Sequence, residues 1–435
     1  MEENLEVLKN KTILNRPSGI KIDFMEGPSS QEAKNRLAFI KDKLENGYFD
    51  NIAGGSHDLA VQSQFVSEAI YNQVKVLVDS VTSEYGRAIV ALSVFQLVIK
   101  SLTPGQSIRL HKSSSSRGSF SWVEGIPMRS IDKSFITPVL RKYNLISMNA
   151  DGMFMTRSLA ENYPYSKMYK AELKGAKDEW LDLVDIIEEN PEHSEKILKI
   201  MVTLLRNRSE KFTKESNELL VLTDSKLNHF TSLNLCSDFI ANFIDKSGYS
   251  ARVFEIALHS LFQVLDEDLA FDGHLQPLGQ MRTPNKKKGN IGDIEVSEDK
   301  AGTSVLESWD AKFGKQYLRE EIEEVAEKVM GHPNIRVLGF VTDKAPDRRK
   351  EIIDRIKEIQ DYATVKIEIL SMKEWVLKQK QRYTKDEATL AQRWFLVFVE
   401  CICQKRRETA PIDEPCDQWV KELTVLLKAL LKRKF

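Results

Sequence analysis

Residues 292–315 have the sequence GDIEVSEDKAGTSVLESWDAKFGK, and this stretch decides the fold that we predict. An Ala-Gly pair at its centre is typical of a turn, and the residues on both sides alternate in polarity as strands do. Because successive side chains of a strand point to opposite faces, Asp310 and Lys312 share one face. Asp293 lies near the start of the adjacent strand. The stretch therefore predicts a hairpin that brings two carboxylates and a lysine together.

Two carboxylates beside a lysine are suited to a hard divalent cation. Magnesium prefers oxygen ligands and keeps several waters that a phosphate can displace. A lysine next to the cation can hold the attacking water or the charge that develops on the phosphate. The alternative interpretation is an ordinary amphipathic hairpin whose charged residues face water.

The neighbouring segments favour an α/β unit around this hairpin. Residues 247–267 have the apolar spacing of a helix, and a basic loop follows at 282–288. Residues 315–331 predict a second helix with one apolar stripe that ends at Gly331. A buried strand (335–342), a helix (347–362) and another strand (364–370) complete the pattern. The order is helix, hairpin, helix, strand, helix, strand.

This order resembles the PD-(D/E)XK nuclease core of many type II restriction endonucleases. Gly292 stands where the family has proline, and Asp310 stands where glutamate is commoner. The resemblance implies a mixed sheet flanked by helices and a bound Mg²⁺. It also implies catalytic residues Asp293, Asp310 and Lys312, and metal ligands Asp293, Asp310 and Glu255 (from the upstream helix). If the strand register is shifted, Lys315 replaces Lys312.

Composition limits the remaining possibilities. The 435-residue chain is 42% hydrophobic, enough for more than one core. Its 63 basic and 64 acidic residues leave a net charge of −1, so any nucleic-acid binding must depend on local patches. The four cysteines form no CxxC pair, which suggests a reducing compartment, and the seven histidines form no HxxxH pair, which disfavours zinc. No signal peptide or membrane-spanning run is evident, so we expect a cytoplasmic protein without membrane association.

A basic segment, residues 108–169, predicts DNA contact because its cations are interleaved with hydroxyl groups and few acids. Its alternative is a solvated loop beside a helix. In order and residue type, the segment is similar to part of the SacI-type restriction endonucleases, through Thr137-Pro138, Asn149 and Thr156-Arg157. The DNA-binding candidates, with two from the basic loop of the core, are Arg109, Lys112, Arg117, Arg129, Arg141, Asn149, Thr156, Arg157, Lys286 and Lys287. The aromatic residues Phe120 and Trp122 are compatible with a pocket for a flipped base, which a modification-dependent endonuclease would need.

The remaining chain is predicted to be mainly helical. Residues 1–28 are polar and end in a loop and N-cap signal at 27–30, and residues 45–57 are interpreted as a loop. Helices are expected from Gln31, over 59–101, and through most of 170–245. A capping box, Thr384 to Glu387, is predicted to open a helix, and 417–434 form a final basic amphipathic helix. The predicted domains are a helical DNA-binding region (1–245), the nuclease core (246–375) and a C-terminal helical extension (376–435). The two C-terminal apolar stripes are expected to pack on their own domain, with a second copy or a membrane surface as alternatives.

The resemblance implies a type II restriction endonuclease that cuts double-stranded DNA with Mg²⁺ and leaves 5′-phosphate ends. It implies a palindromic site and a homodimer, since a two-fold protein matches a two-fold site. A cognate DNA methyltransferase would be a functional partner without physical contact. A repair or modification-dependent endonuclease and a non-catalytic DNA-binding protein are the alternatives.

Overall fold

The computed structural model describes residues 2–113, 120–281, 290–409 and 411–430. The chain divides into two compact units, Met1–Lys211 and Phe212–Phe435, and the boundary falls within one long helix. Within the described ranges, none of the helices combines the length and the apolar character needed to cross a bilayer.

The first unit joins a small sheet to a set of helices. A π-helical turn, Asp132–Ile136, separates two of its short helices. The main elements are β1 (Asn4–Val7), β2 (Lys11–Asn15), β3 (Lys21–Met25), α1 (Gln31–Glu45), α2 (Tyr48–Gly54), α3 (Leu59–Ser63), α4 (Glu68–Asp79), α5 (Arg87–Leu102), α6 (Met128–Ile131), α7 (Thr137–Lys142), α8 (Lys177–Glu189) and α9 (Ser194–Asp224).

The helices predicted from Gln31 and over 59–101 are confirmed. Ser30 begins α1 by accepting a hydrogen bond from the Ala33 amide at 3.0 Å, as its position before an apolar-periodic run suggests. Most of α5 is buried all round, which explains its nearly continuous apolar sequence.

In this unit a small sheet was not predicted, and one loop prediction is wrong. Residues 4–25 form a three-stranded antiparallel sheet in which β2 pairs with both neighbours. Leu14 and Phe24 pack on Trp122, but each strand buries so few side chains that its alternation is too short to recognise. Residues 48–54 form α2, which begins after Gly47, a residue with φ of 82°. Glycine adopts this left-handed conformation without strain, so a glycine can precede a helix as well as lie in a loop.

The second unit is a mixed α/β structure around a five-stranded sheet of order β4-β5-β6-β7-β8. The first three strands are antiparallel, and β6, β7 and β8 are parallel. Its elements are α10 (Leu233–Lys246), α11 (Ser250–Glu267), β4 (His274–Leu275), β5 (Ile294–Ser297), β6 (Val305–Lys312), α12 (Arg319–Met330), β7 (Val337–Thr342), α13 (Lys350–Ala363), β8 (Lys366–Ser371), α14 (Met372–Lys380), α15 (Glu387–Ile402) and α16 (Cys416–Leu430). The predicted order of helix, hairpin, helix, strand, helix, strand is confirmed.

Each face of this sheet packs against helices. Trp309 and Val341 belong to a core with α10, α11, α14, α15 and α16, whereas Leu338 and Phe340 belong to a core with α12 and α13. Helices therefore cover both faces, as parallel strands require. Successive side chains of β6 point to opposite faces of the sheet. Trp309 points away from α12, so Asp310, the next residue, lies on the face that α12 covers.

The C-terminal helices pack within their own unit, as preferred from the sequence. Phe395 and Phe398 of α15 and Leu423 and Leu427 of α16 are fully buried in the single chain. The predicted capping residue is wrong: Asp386, not Thr384, caps α15 by accepting a hydrogen bond from the Thr389 amide at 2.9 Å.

Candidate functional site

The β5–β6 hairpin brings Asp293, Asp310 and Lys312 together, and we call these three residues the hairpin site. Ile294 pairs with Trp309, and the Asp293 amide donates to the Trp309 carbonyl at 3.0 Å, so Asp293 lies across from Asp310. The Asp293 carboxylate also accepts a hydrogen bond from the Ala311 amide at 2.9 Å. The Asp293 carboxylate is therefore fixed to the backbone of Ala311, the residue between Asp310 and Lys312.

Asp310 is buried and lies between two ammonium groups. Its side chain is 6% exposed, and Oδ2 lies 3.1 Å from Nζ of Lys312 and 3.4 Å from Nζ of Lys328. Although burial opposes a charged lysine, the ion pair with Asp310 raises the pKa of Lys312 above its usual range. Lys312 is therefore a fully protonated cation at neutral pH.

The surroundings of Asp293 destabilise its ionised form. Burial raises its pKa to about 7, and the negative charges of Asp310 and Glu255 add to the rise. The Ala311 hydrogen bond and the Lys312 charge oppose this rise without cancelling it. Three carboxyl groups thus lie close enough to repel one another in a partly desolvated space.

Glu255 on α11 is held by a buried arginine. Arg252 contacts Oε2 of Glu255 at 2.5 Å and, through Nε, the fully buried Glu414 at 2.8 Å. Burial raises the pKa of Glu255, and Arg252 opposes that rise. The predicted acidic residue therefore lies near the aspartates, with one of its oxygens already engaged by Arg252.

Two features of the hairpin were missed from the sequence. Glu295 is buried on the same strand face as Asp293, and its Oε1 accepts hydrogen bonds from the amides of Ile291 and Gly292, which fixes the turn into β5. A Cβ on Gly292 would lie 2.6 Å from Oγ of Ser308, so this close approach to β6 needs glycine. The alternation of Asp293 and Glu295 in GDIEV is the signal that could have identified Glu295.

Lys315 does not belong to the hairpin site. Its ammonium pairs with Glu321 at 2.7 Å and Glu320 at 3.2 Å, and its side chain is 41% exposed. The strand register is the one predicted, since β6 continues through Lys312.

The donor set fits a hard divalent cation. In the described part of the chain, no group of three or more His, Cys, Asp and Glu side chains is arranged to hold a metal ion as it stands. Magnesium does not require three such side chains, because it is commonly held by one or two carboxylates together with waters and a substrate phosphate. Asp293 and Asp310 supply such a pair. Burial is the main cause of the raised pKa of Asp293, and the repulsion by Asp310 and Glu255 that adds to it is what a cation between the carboxylates would relieve.

In the first unit, the structure argues against one expected DNA contact, Arg109, and against Trp122 as part of a base-flipping pocket. Arg109 is 3% exposed and donates to Asp185 and to the Tyr165 carbonyl, both within that unit, so it stabilises the fold. Trp122 is fully buried, which removes it as a stacking surface for a flipped base. Burial was not evident because both residues lie in a stretch rich in exposed polar types.

Other residues of the basic segment reach the surface. Lys112 is partly buried over the Phe120 ring, at 5.5 Å from its centroid. The exposed candidates are Arg129, Arg141, Asn149, Thr156 and Arg157. Neither Arg141 nor Arg157 forms an ion pair with any residue that the structure describes. The candidates Arg117, Lys286 and Lys287 lie outside the described residues.

A buried carboxylate braces this surface. Asp132 accepts hydrogen bonds from Oγ1 of Thr137 at 2.7 Å and from the Met153 amide at 2.9 Å. Gly152, with φ of 87°, passes so close that a Cβ would lie 2.2 Å from Oδ2 of Asp132. Arg129 also donates to the Phe154 carbonyl at 2.6 Å. The turn between Asn149 and Thr156 is therefore fixed to the preceding helices.

Comparison with protein-family models and with curated proteins gave no significant match.

Proposed function

We propose that this protein is a Mg²⁺-dependent endodeoxyribonuclease with a PD-(D/E)XK core, of the type II restriction kind. The observation that carries the proposal is the hydrogen bond from the Ala311 amide to Asp293. It holds the Asp293 carboxylate beside both Asp310 and Lys312, an arrangement that suits metal-dependent phosphodiester hydrolysis.

Each residue of the hairpin site has a distinct role in this proposal. Asp293 and Asp310 would hold the cation, and Glu255 would add negative charge behind them. The cation would supply Lewis acidity and lower the pKa of a water. The Lys312 ammonium would hold the attacking water in place and stabilise charge on the phosphate oxygens. The water oxygen would attack phosphorus in line and form a new P–O bond as the bond from phosphorus to O3′ breaks. The water would lose one proton to solvent and O3′ would take one up from solvent, so the products are a 5′-phosphate and a 3′-hydroxyl.

The exposed residues of the first unit would bind the DNA. Arg129, Arg141 and Arg157 supply cations for phosphates, and Asn149 and Thr156 supply neutral donors and acceptors. Because Asp132 fixes the turn that carries several of them, little ordering would be needed when DNA binds.

A homodimer and a palindromic site belong to the same proposal. Each chain has one hairpin site, so cutting both strands of a duplex is simplest with two chains around a two-fold axis. The apolar stripes of α15 and α16 are buried in their own unit, so the dimer contact would use other surfaces. A cognate DNA methyltransferase would protect the site in the cell.

Carboxamide substitutions at the hairpin site test the proposal. Asp293→Asn and Asp310→Asn keep the side-chain shape and remove a metal ligand, so cleavage with Mg²⁺ should fall by orders of magnitude while duplex binding with Ca²⁺ persists. Glu298→Gln is the matched control, because Glu298 is an exposed acid at the turn of the same hairpin. Cleavage by Asp310→Asn at the rate of the control would refute the assignment.

A further inference from the structure

A second lysine reaches the hairpin site from α12. Lys328 Nζ lies 3.4 Å from the same Asp310 oxygen that Lys312 contacts at 3.1 Å. The two lysines come from different elements, β6 and α12. The position of Lys328 is fixed by its helix, because Ile322 and Val325 on α12 are fully buried against the sheet.

Lys312 alone already forms an ion pair with Asp310. It follows Asp310 by two residues on the same strand face. The Lys328 side chain is 22% exposed, so its ammonium lies at the edge of the site. A lysine is a compact charge on a flexible four-carbon stem, so Lys328 can exchange one anion for another without movement of α12.

The surroundings of Asp310 would repel a DNA strand. Asp293 and Glu255 raise each other's energy when ionised, and Glu295 and Glu321 lie near Asp310 and Lys312, respectively. A phosphate that approaches this cluster needs cations besides a metal ion. Among the described residues, Lys312 and Lys328 are the cations that touch Asp310, and Lys312 is the one assigned to the chemical step.

We propose that Lys328 is a phosphate-binding residue of the cleavage site. When a duplex binds, the Lys328 ammonium moves from the Asp310 carboxylate to a phosphate of the DNA backbone. This inference rests on the proposed nuclease function. It assigns to α12 a direct part in holding the substrate, beyond covering the sheet.

The test measures duplex binding at several salt concentrations, with Ca²⁺ in place of Mg²⁺, on a plasmid fragment that the wild-type protein cuts. Lys328→Met keeps the stem and removes the charge, and Lys328→Arg keeps a cation. Loss of one phosphate contact should lower the salt slope by about 0.9 and weaken binding roughly eightfold at 0.1 M salt. Lys328→Arg should retain most of the slope. Lys315→Met is the control, because Lys315 is an exposed lysine paired with Glu320 and Glu321 rather than Asp310.

The outcomes separate this inference from the proposed function. A salt slope for Lys328→Met equal to that of wild type, in protein that still cuts DNA, would overturn the role of Lys328 and leave the nuclease intact. A wild-type protein that neither binds nor cuts any duplex would overturn both. A lower slope in Lys328→Met alone, restored in Lys328→Arg, supports the inference.

Discussion

At the scale of single residues, burial separates the charged side chains that hold the fold from those available for chemistry. Arg109 and Arg141 are both arginines of one basic segment, yet the first is buried against Asp185 and the second is exposed. The sequence predicted the proximity of the hairpin-site residues because strand alternation assigns Asp310 and Lys312 to one face and the hairpin turn brings Asp293 to the adjacent strand. It could not predict Lys328, since contact with Asp310 depends on how α12 packs across the sheet.

The first residue-scale prediction concerns the lysine of the chemical step. Lys312→Met should lower the cleavage rate by about 10²–10³-fold, the usual cost of losing one group that stabilises transition-state charge. Duplex affinity with Ca²⁺ should change little. Single-turnover cleavage and binding titrations would measure the two effects separately. Lys315→Met serves as the control, and loss of cleavage in that variant with full activity in Lys312→Met would contradict the assignment.

The second concerns Asp132 and pH. Burial raises its pKa to about 6 from an ordinary value of 3.8, although hydrogen bonds from Thr137 and Met153 oppose this. The folded protein then binds the proton more tightly than the unfolded chain, so this group lowers the free energy of unfolding as pH rises from about 4 to about 6. The full loss is on the order of 3 kcal/mol and persists above pH 6.

Asp132→Asn should remove that part of the pH dependence, as urea unfolding at pH 4 and pH 7 would show. Asp151→Asn is a suitable control, because Asp151 lies in the same region but is exposed and pairs with Lys133. If Asp132→Asn had the same pH dependence as wild type, Asp132 would not be the titrating group.

At the scale of elements, strong periodicity predicted the helices and strands of the second unit, whereas weak patterns failed. From α11 to β8 every predicted element is confirmed, because each has a long apolar stripe or a continuous buried run, and only the two-residue strand β4 was not predicted. The strands β1 to β3 were missed because they are four or five residues long and few of their side chains are buried. Sheet order and the layer on each face follow from long-range packing that periodicity does not encode.

One element-scale prediction concerns the contact between β6 and β7. Trp309 pairs with Gly339, and a Cβ on Gly339 would lie 2.1 Å from the indole ring. Gly339→Ala should therefore destabilise the protein by about 1–3 kcal/mol and impair cleavage, because the displaced Trp309 directly precedes Asp310. Gly331→Ala, where the nearest atom to a new Cβ is 3.8 Å away, should be tolerated. Equal unfolding midpoints for the two variants would contradict this account of the packing.

At the scale of the whole molecule, the proposed division of labour assigns DNA binding mainly to the first unit and cleavage to the second. The near-zero net charge means that affinity must come from a few local cations, and the sequence could locate the segment but not its exposed members. Arg141→Gln and Arg157→Gln should each lower the salt slope of duplex binding by about one. Lys11→Gln, at a lysine paired with Asp23 on the small sheet, is the control. If the salt slope of duplex binding were unchanged in both arginine variants, the basic segment would have only a structural role.

The central claim is that this chain hydrolyses DNA at defined positions with the hairpin site and Mg²⁺. Digestion of a plasmid of known sequence, followed by mapping of the product ends, tests it most directly. The account predicts discrete fragments with 5′-phosphate ends from the wild-type protein, none when the metal is chelated, and none from Asp310→Asn. Intact plasmid in the presence of Mg²⁺, or equal cutting by Asp310→Asn, would contradict it.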